Sequence, residues 1–241
     1  MKNLVLSSSL SIIIFFGCSS TTNETTEIPE NAFITKLGND TLAIEQFSIA
    51  GNEVTAKVLL RSPRTVLREY KMVMDENGMM QNLEATYIDP LSDSVNRTDK
   101  YFWDGDSLRF EISQGERSRS GAAQAGKEVL PFIDMVHWPF DLMLSRAYKK
   151  EGITQQSLIS GSRVFDFELN KISPDSMTVK HPTRGTMGTN VNNEGQLTFL
   201  EASQTTRALT VERTGSIDFE AYVNDFAESD KAGNPFGSLS G

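Results

Sequence analysis

The chain has 241 residues, enough for one large domain or two small ones, and carries 32 acidic against 23 basic side chains, a formal charge of −9. That balance lacks the basic face that nucleic-acid phosphates require, so nucleic acid is not an expected partner. A single cysteine excludes an internal disulfide framework and any thiolate-rich metal centre, and no metal or cofactor is expected.

The first eighteen residues read as a targeting segment. Lys2 supplies a short positive region, and Leu4 to Phe16 form an apolar run shorter than the roughly 20 residues of a membrane-spanning helix. The run ends in Gly17-Cys18, which resembles a bacterial lipoprotein signal peptide. The resemblance implies that residues 1–17 are removed, that Cys18 carries lipid, and that the protein's membrane partner is reached through that N-terminal anchor. Ser19 after the cysteine implies the outer membrane of the cell envelope. Residues 18–31 then read as a flexible tether, since Ser19 to Glu27 offer no apolar surface to bury.

Residues 32–229 are expected to form a single β-rich domain, followed by a Gly/Pro-rich tail at 230–241. Apolar residues recur at every second position: Leu42 and Ile44 against Ala43 and Glu45; Val54, Ala56, Val58 and Leu60 against Thr55, Lys57 and Leu59; then Tyr70, Met72 and Met74. Phe165, Phe167 and Leu169, Met177 and Val179, Leu197 and Phe199, and Leu209 and Val211 continue the rhythm. Period two marks half-buried strands. Gly38-Asn39-Asp40, Gly51-Asn52, Asp75 to Gly78, Asp104 to Asp106, Pro174-Asp175 and Asn192 to Gly195 divide them, as hairpin turns of an antiparallel meander do. Asp75 to Gly78 and Asn192 to Gly195 are each followed by Leu-Glu-Ala at the same distance, which suggests two hairpins of one design.

Between these halves, Lys127 to Gly152 breaks the rhythm. Its apolar residues Ile133, Val136, Phe140, Leu144 and Ala147 fall at helical spacing, and Lys149-Lys150-Glu151-Gly152 reads as a helix end. Pro131 suits a first helical turn, while Pro139 kinks the helix or starts a second one. A shorter helix is expected over 218–229. The predicted fold class is α+β: a mostly antiparallel β meander forming a curved sheet or half-barrel around one apolar, proline-interrupted helix. That architecture resembles the half-barrel of envelope lipoprotein carriers, an analogy of shape.

Catalytic residue types are sparse. His137 and His181 are the two histidines, and no nucleophile elbow, phosphate loop or zinc-binding helix motif occurs. An envelope hydrolase would have to use His137 or His181 with a carboxylate in an open cleft. In Val136-His-Trp-Pro-Phe140, however, a histidine is ordinarily a hydrogen-bonded core residue. Arg61, Arg64 and Arg68 surround Ser62-Pro63, and Arg117 and Arg119 stand together farther on; arginine forks suit carboxylates and phosphates. The expected ligand is therefore an apolar or anionic small molecule, with Arg61, Arg64, Arg68, His137, Trp138 and Phe140 as candidate binding residues and no catalytic residue assigned. The function expected is that of a lipid-anchored binding or scaffold domain. Hydrolase and protein-interaction module remain the alternatives. Asp40-Thr41, Asp93-Ser94, Asp106-Ser107 and Asp175-Ser176, each before an apolar residue, resemble O-glycosylation acceptors and equally describe an aspartate turn feeding a strand.

Three stretches carry a family resemblance: Leu37 to Glu45, Arg61-Ser-Pro-Arg-Thr65, and Thr205 to Val211 leading into Asp230 to Ser240. They resemble the N-terminal region of bacterial envelope proteins that carry domain-of-unknown-function family 2911 at their C-terminus. The resemblance implies a cell-envelope protein and supplies no catalytic residues.

Overall fold

A computed structural model describes residues 31–61 and 64–231. The expected signal peptide with Cys18, most of the expected tether, Ser62-Pro63 and most of the expected C-terminal tail lie outside the described residues. The first half of the chain forms β1 (Asn31–Leu37), β2 (Asp40–Ala50), β3 (Glu53–Arg61), β4 (Thr65–Met74), β5 (Met80–Asp89), β6 (Ser94–Asp104), β7 (Ser107–Gln114) and β8 (Arg117–Ala123). A crossover follows, with β9 (Leu130–Pro131) and helix α1 (Trp138–Tyr148). The chain returns through β10 (Ile153–Ser160), β11 (Arg163–Ser173), β12 (Ser176–His181), β13 (Gly185–Val191), β14 (Leu197–Glu201) and β15 (Leu209–Thr214), then ends in α2 (Phe219–Lys231).

All these strands join one sheet in the order β8-β7-β6-β5-β4-β3-β2-β1-β15-β14-β13-β12-β11-β10-β9, antiparallel except for β9 beside β10. Two meanders thus meet where β1 pairs with β15, and the sheet's free edges are β8 and β9. The sheet curls so that its two halves meet away from β1 and β15: the Gly161 N–H at the β10–β11 turn donates to the Tyr101 hydroxyl on β6, 2.8 Å away. The curled but unclosed sheet wraps α1, so the predicted antiparallel half-barrel around an apolar helix is the observed fold. Each of the four Asp-hydroxyl pairs lies at the start of a strand, as turn residues do.

Alternation decides what faces the interior. Val54, Ala56, Val58 and Leu60 on β3, and Tyr70, Met72 and Met74 on β4, pack inward with Trp138, Met143 and Leu144 of α1. Each fully buried large side chain contributes about 1.5–3 kcal/mol. Leu59 and Ile44 point the other way, pair across β2 and β3, and are covered by Phe219, Val223 and Phe226 of α2 on the convex face. The rest of that face is laced with ion pairs such as Lys57–Glu69 and Lys100–Glu84. Among the described residues no helix is long and apolar enough to cross a membrane.

Three expectations need correction. On β2 Ala43, Glu45 and Phe47 face inward and Ile44 faces the other side, while Leu42 at the bulge also packs against the interior core. A bulge at Leu42, where Thr35 pairs with Ala43 but Lys36 with Thr41, reverses the phase of the strand. A second bulge skips Thr198, so Leu197 and Leu200 are buried and Phe199 is exposed. Finally, the apolar stretch 129–148 is not helical throughout. Pro131 ends the two-residue strand β9, residues 132–137 cross the interior as a strap, and only Trp138 onward is helix, with Pro139 in its first turn. Period alone does not separate a buried strap from a buried helix.

The paired turns prove to have the same internal bonding. Asp75 accepts from Asn77 and Met79 N–H through Oδ1, and Asn192 accepts from Glu194 and Gln196 N–H in the same way. Both hold the last turn of α1. Arg146 donates to the Gly78 carbonyl, and Tyr148 packs against Gly195, which has φ +78° and no room for a Cβ.

Candidate functional site

Strand register places three inward rows side by side. Arg68 on β4 pairs with Tyr87 on β5, which pairs with Arg97 on β6. The next row runs Tyr70, Ala85, Asp99, Ile112 and Arg119 across β4 to β8, and the third runs Met72, Leu83, Tyr101, Phe110 and Gly121. Side chains two apart on a strand share a face, so Arg68-x-Tyr70 and Arg97-x-Asp99-x-Tyr101 project together. Ala85 leaves room between Tyr70 and Asp99. Pro131 to Asp134 of the strap and Ile159 to Gly161 at the β10–β11 turn close the opposite wall, leaving a cavity of about 300 Å³ at the seam of the sheet.

Two of the cavity's cations have different fates. Arg97 grips Asp99 with two bonds of 2.6 Å, and the Tyr87 hydroxyl donates to the same carboxylate. Arg68 lies 4.9 Å from the centroid of the Tyr87 ring and forms no salt bridge with a described carboxylate; its Nε–H is buried without a hydrogen-bond partner. The Tyr70 hydroxyl next to it is likewise buried, with the Arg68 guanidinium beside it and no acceptor for its own O–H. Burial pushes the Tyr70 phenol up to about 12 against the charge and hydrogen bonding of the Arg68 guanidinium, so it stays neutral and keeps its O–H to donate. Burial also raises Tyr87 and Tyr101. Two orphaned donors on one wall of a cavity require an acceptor, since nearly all buried polar groups in folded proteins are paired.

The exposed cations around this cavity differ in their pairing from those on the sheet's outer face. The turns β3–β4, β7–β8 and β10–β11 share one end of the sheet, and they carry Arg64, Arg117, Arg119 and Arg163 exposed and outside any ion pair of the described residues. Asp40, Asp89, Asp93 and Glu116 share that end. On the outer face of the sheet, by contrast, Lys57, Lys71, Lys100 and Lys180 each meet a glutamate.

The sequence-predicted binding residues are divided among different places. Arg68 alone reaches the cavity deeply. Arg61 is buried beneath α2, its guanidinium 4.5 Å from the Phe226 centroid, and Arg64 lies on the rim near Asp89. Trp138 is fully buried beside Tyr70, and Phe140 packs on His137 and Phe167. Both histidines are buried and share a separate space of only about 40 Å³. His137 is held by Glu45, which is completely buried: its backbone N–H reaches both carboxylate oxygens at 2.8 Å, its Nδ1 stands 3.2 Å from Oε1, and Trp138 N–H donates at 3.0 Å. His181 accepts from Thr183 N–H at Nδ1, and burial followed by the Arg184 charge lowers it to about 4. Neither histidine opens to a cleft of substrate size. The described residues contain no cluster of three metal-ligating side chains.

Sequence reasoning missed Tyr70, Tyr87, Arg97, Asp99 and Tyr101 as site residues. The signal was local spacing of two between polar residues on strands otherwise apolar at those positions, which names a polar patch on the core-facing side.

No family model and no curated protein matches the chain. In structure it is similar to a family-1089 domain-of-unknown-function protein from Pseudomonas aeruginosa, at 11% identity over 65% of this chain and 87% of that one, with a TM-score of 0.45. It is also similar to a β-barrel-like protein of domain-of-unknown-function family 1849 from Brucella abortus, at 9% identity over 78% and 96% of the two chains, with a TM-score of 0.48.

Proposed function

We propose that this protein is a binding domain that captures a small anion-bearing ligand in the seam cavity, and that it works in the cell envelope on a lipid anchor at Cys18. The observation carrying the ligand reading is the pair of buried donors without an acceptor, Arg68 Nε–H and Tyr70 O–H, on one cavity wall. The anchor rests on the lipoprotein-like N-terminus. The apolar-carrier version has less to support it, because α1 and the strap fill the interior with side chains of the protein itself.

The test is calorimetric titration of the purified protein with acetate, benzoate, sulfate and phosphate at low and high salt. Saturable binding of at least one anion, weakened by salt and lost in Arg68→Met, is the expected result. Absence of binding by every anion, in a folded protein, would overturn the reading.

A further inference from the structure

We infer that the ligand is a small monocarboxylate with a flat or apolar body, its carboxylate held by Arg68 and Tyr70; this rests on the anion-binding reading and narrows it to one chemical class. Charge supports it first. Arg97 is neutralised by Asp99, and Asp134 is engaged by Arg184 at 2.6 Å and Arg207 at 2.8 Å. That leaves Arg68 as the uncompensated cation beside Tyr70 and Tyr87, with Arg119, exposed and outside any ion pair of the described residues, as a second one at the cavity's edge. The one guanidinium beside the Tyr70 hydroxyl is enough to hold one carboxylate. A phosphate dianion would bring a second negative charge toward Asp99, one of whose oxygens already lies 3.1 Å from the Tyr87 hydroxyl on the same wall.

Donor geometry supports it as well. A guanidinium presents N–H groups in a planar fork that a carboxylate meets with both oxygens. The Arg68 Nε–H belongs to such an edge and is the buried, unpartnered donor. Tyr70, two residues along the same strand face, supplies a neutral O–H to one of those oxygens. Beyond these donors the walls are Leu83, Ala85, Ile159, Phe132 and the rings of Tyr87 and Tyr101, surfaces that suit apolar or aromatic carbon. The cavity's 300 Å³ would hold about ten waters at roughly 30 Å³ each, which limits the ligand to a comparable number of non-hydrogen atoms.

The experiment compares four probes on the wild-type protein: benzoate, hexanoate, inorganic phosphate and benzamide. Benzoate and hexanoate are expected to bind saturably, with phosphate and the uncharged benzamide each weaker by about tenfold or more. Tyr70→Phe is expected to weaken benzoate by about tenfold, and Arg68→Met to remove its binding. Phosphate binding as tightly as benzoate would overturn the carboxylate assignment and leave the anion site standing. Benzamide binding equally well would overturn both, since the charge would then play no part. Failure of all four probes would likewise overturn both. Because the probe comparison uses the wild type, it decides the question even where a variant fails to fold.

Discussion

Glu45, on the second strand, accepts the backbone N–H of His137 at both carboxylate oxygens, 92 positions along the chain, and thereby caps α1 from the sheet. His137 occupies the N-cap position without a capping side chain of its own. The first N–H groups of a helix have no partner within it and favour negative charge, so a strand carboxylate does what a local serine or aspartate usually does.

Glu45→Gln keeps the shape and removes the charge, and is expected to cost about 2 kcal/mol. Glu45→Ala leaves buried N–H groups unpaired and should cost about 3–5 kcal/mol. Urea unfolding midpoints check the order. A Gln variant as stable as wild type would contradict a charge-assisted cap.

Asp141 and Arg213 form a second buried pair, with Leu197 N–H donating to the same aspartate oxygen. Burial raises the Asp141 carboxyl above its ordinary value, and Arg213 opposes that rise. Arg213→Met is expected to cost about 3–5 kcal/mol at neutral pH by stranding the charge. A raised carboxyl binds its proton more readily folded than unfolded. Its contribution is therefore fullest below the unfolded value and is lost as pH rises through the folded one. The variant's deficit should shrink on acidification; denaturation at pH 7 and pH 4.5 measures it, and an unchanged deficit would argue against Asp141 as the cause.

For His181 the sign is opposite. Its folded value of about 4 lies below the ordinary 6.5, so between those values the unfolded chain binds more protons. Stability from this residue is present above pH 6.5 and is lost as pH falls toward 4. His181→Phe, which suits the surrounding Phe132, Phe165 and Phe167, should flatten the stability profile across that window. A profile as steep as wild type would show that another group titrates.

The two hairpin turns with identical bonding should differ in tolerance. Gly78 and Gly195 have φ values of +75° and +78°, yet a Cβ at Gly78 meets nothing within 4 Å, whereas one at Gly195 would fall 2.3 Å from the Tyr148 Cβ. Gly78→Ala pays backbone strain alone, about 1 kcal/mol. Gly195→Ala must also displace the end of α1, and a larger shift in melting temperature is expected. Equal shifts would mean that Tyr148 is not anchored there.

Turns and most strands were legible because they rest on neighbouring residues: glycine at positive φ, aspartate bonding its own turn, apolar residues at every second position. Glu45 was not, because a one-residue bulge at Leu42 reverses its strand and its partners lie on α1. The cavity was half legible. Arg68 stood out as a cation in an acidic chain, but its grouping with Tyr87 and Arg97 follows from register across three strands, which no local pattern states. Arg61 shares its neighbourhood in sequence and lies on the other face of the sheet, beneath α2.

The central claim is that Arg68 is the ligand-holding cation, and its own side-chain N–H reports on it. In a ¹⁵N–¹H spectrum recorded during benzoate titration, the Arg68 Nε–H resonance should move downfield and saturate with the ligand, while the Arg97 resonance, already engaged by Asp99, stays in place. Benzoate binding that leaves the Arg68 resonance unmoved, or a resonance that drifts without saturating, would contradict the account.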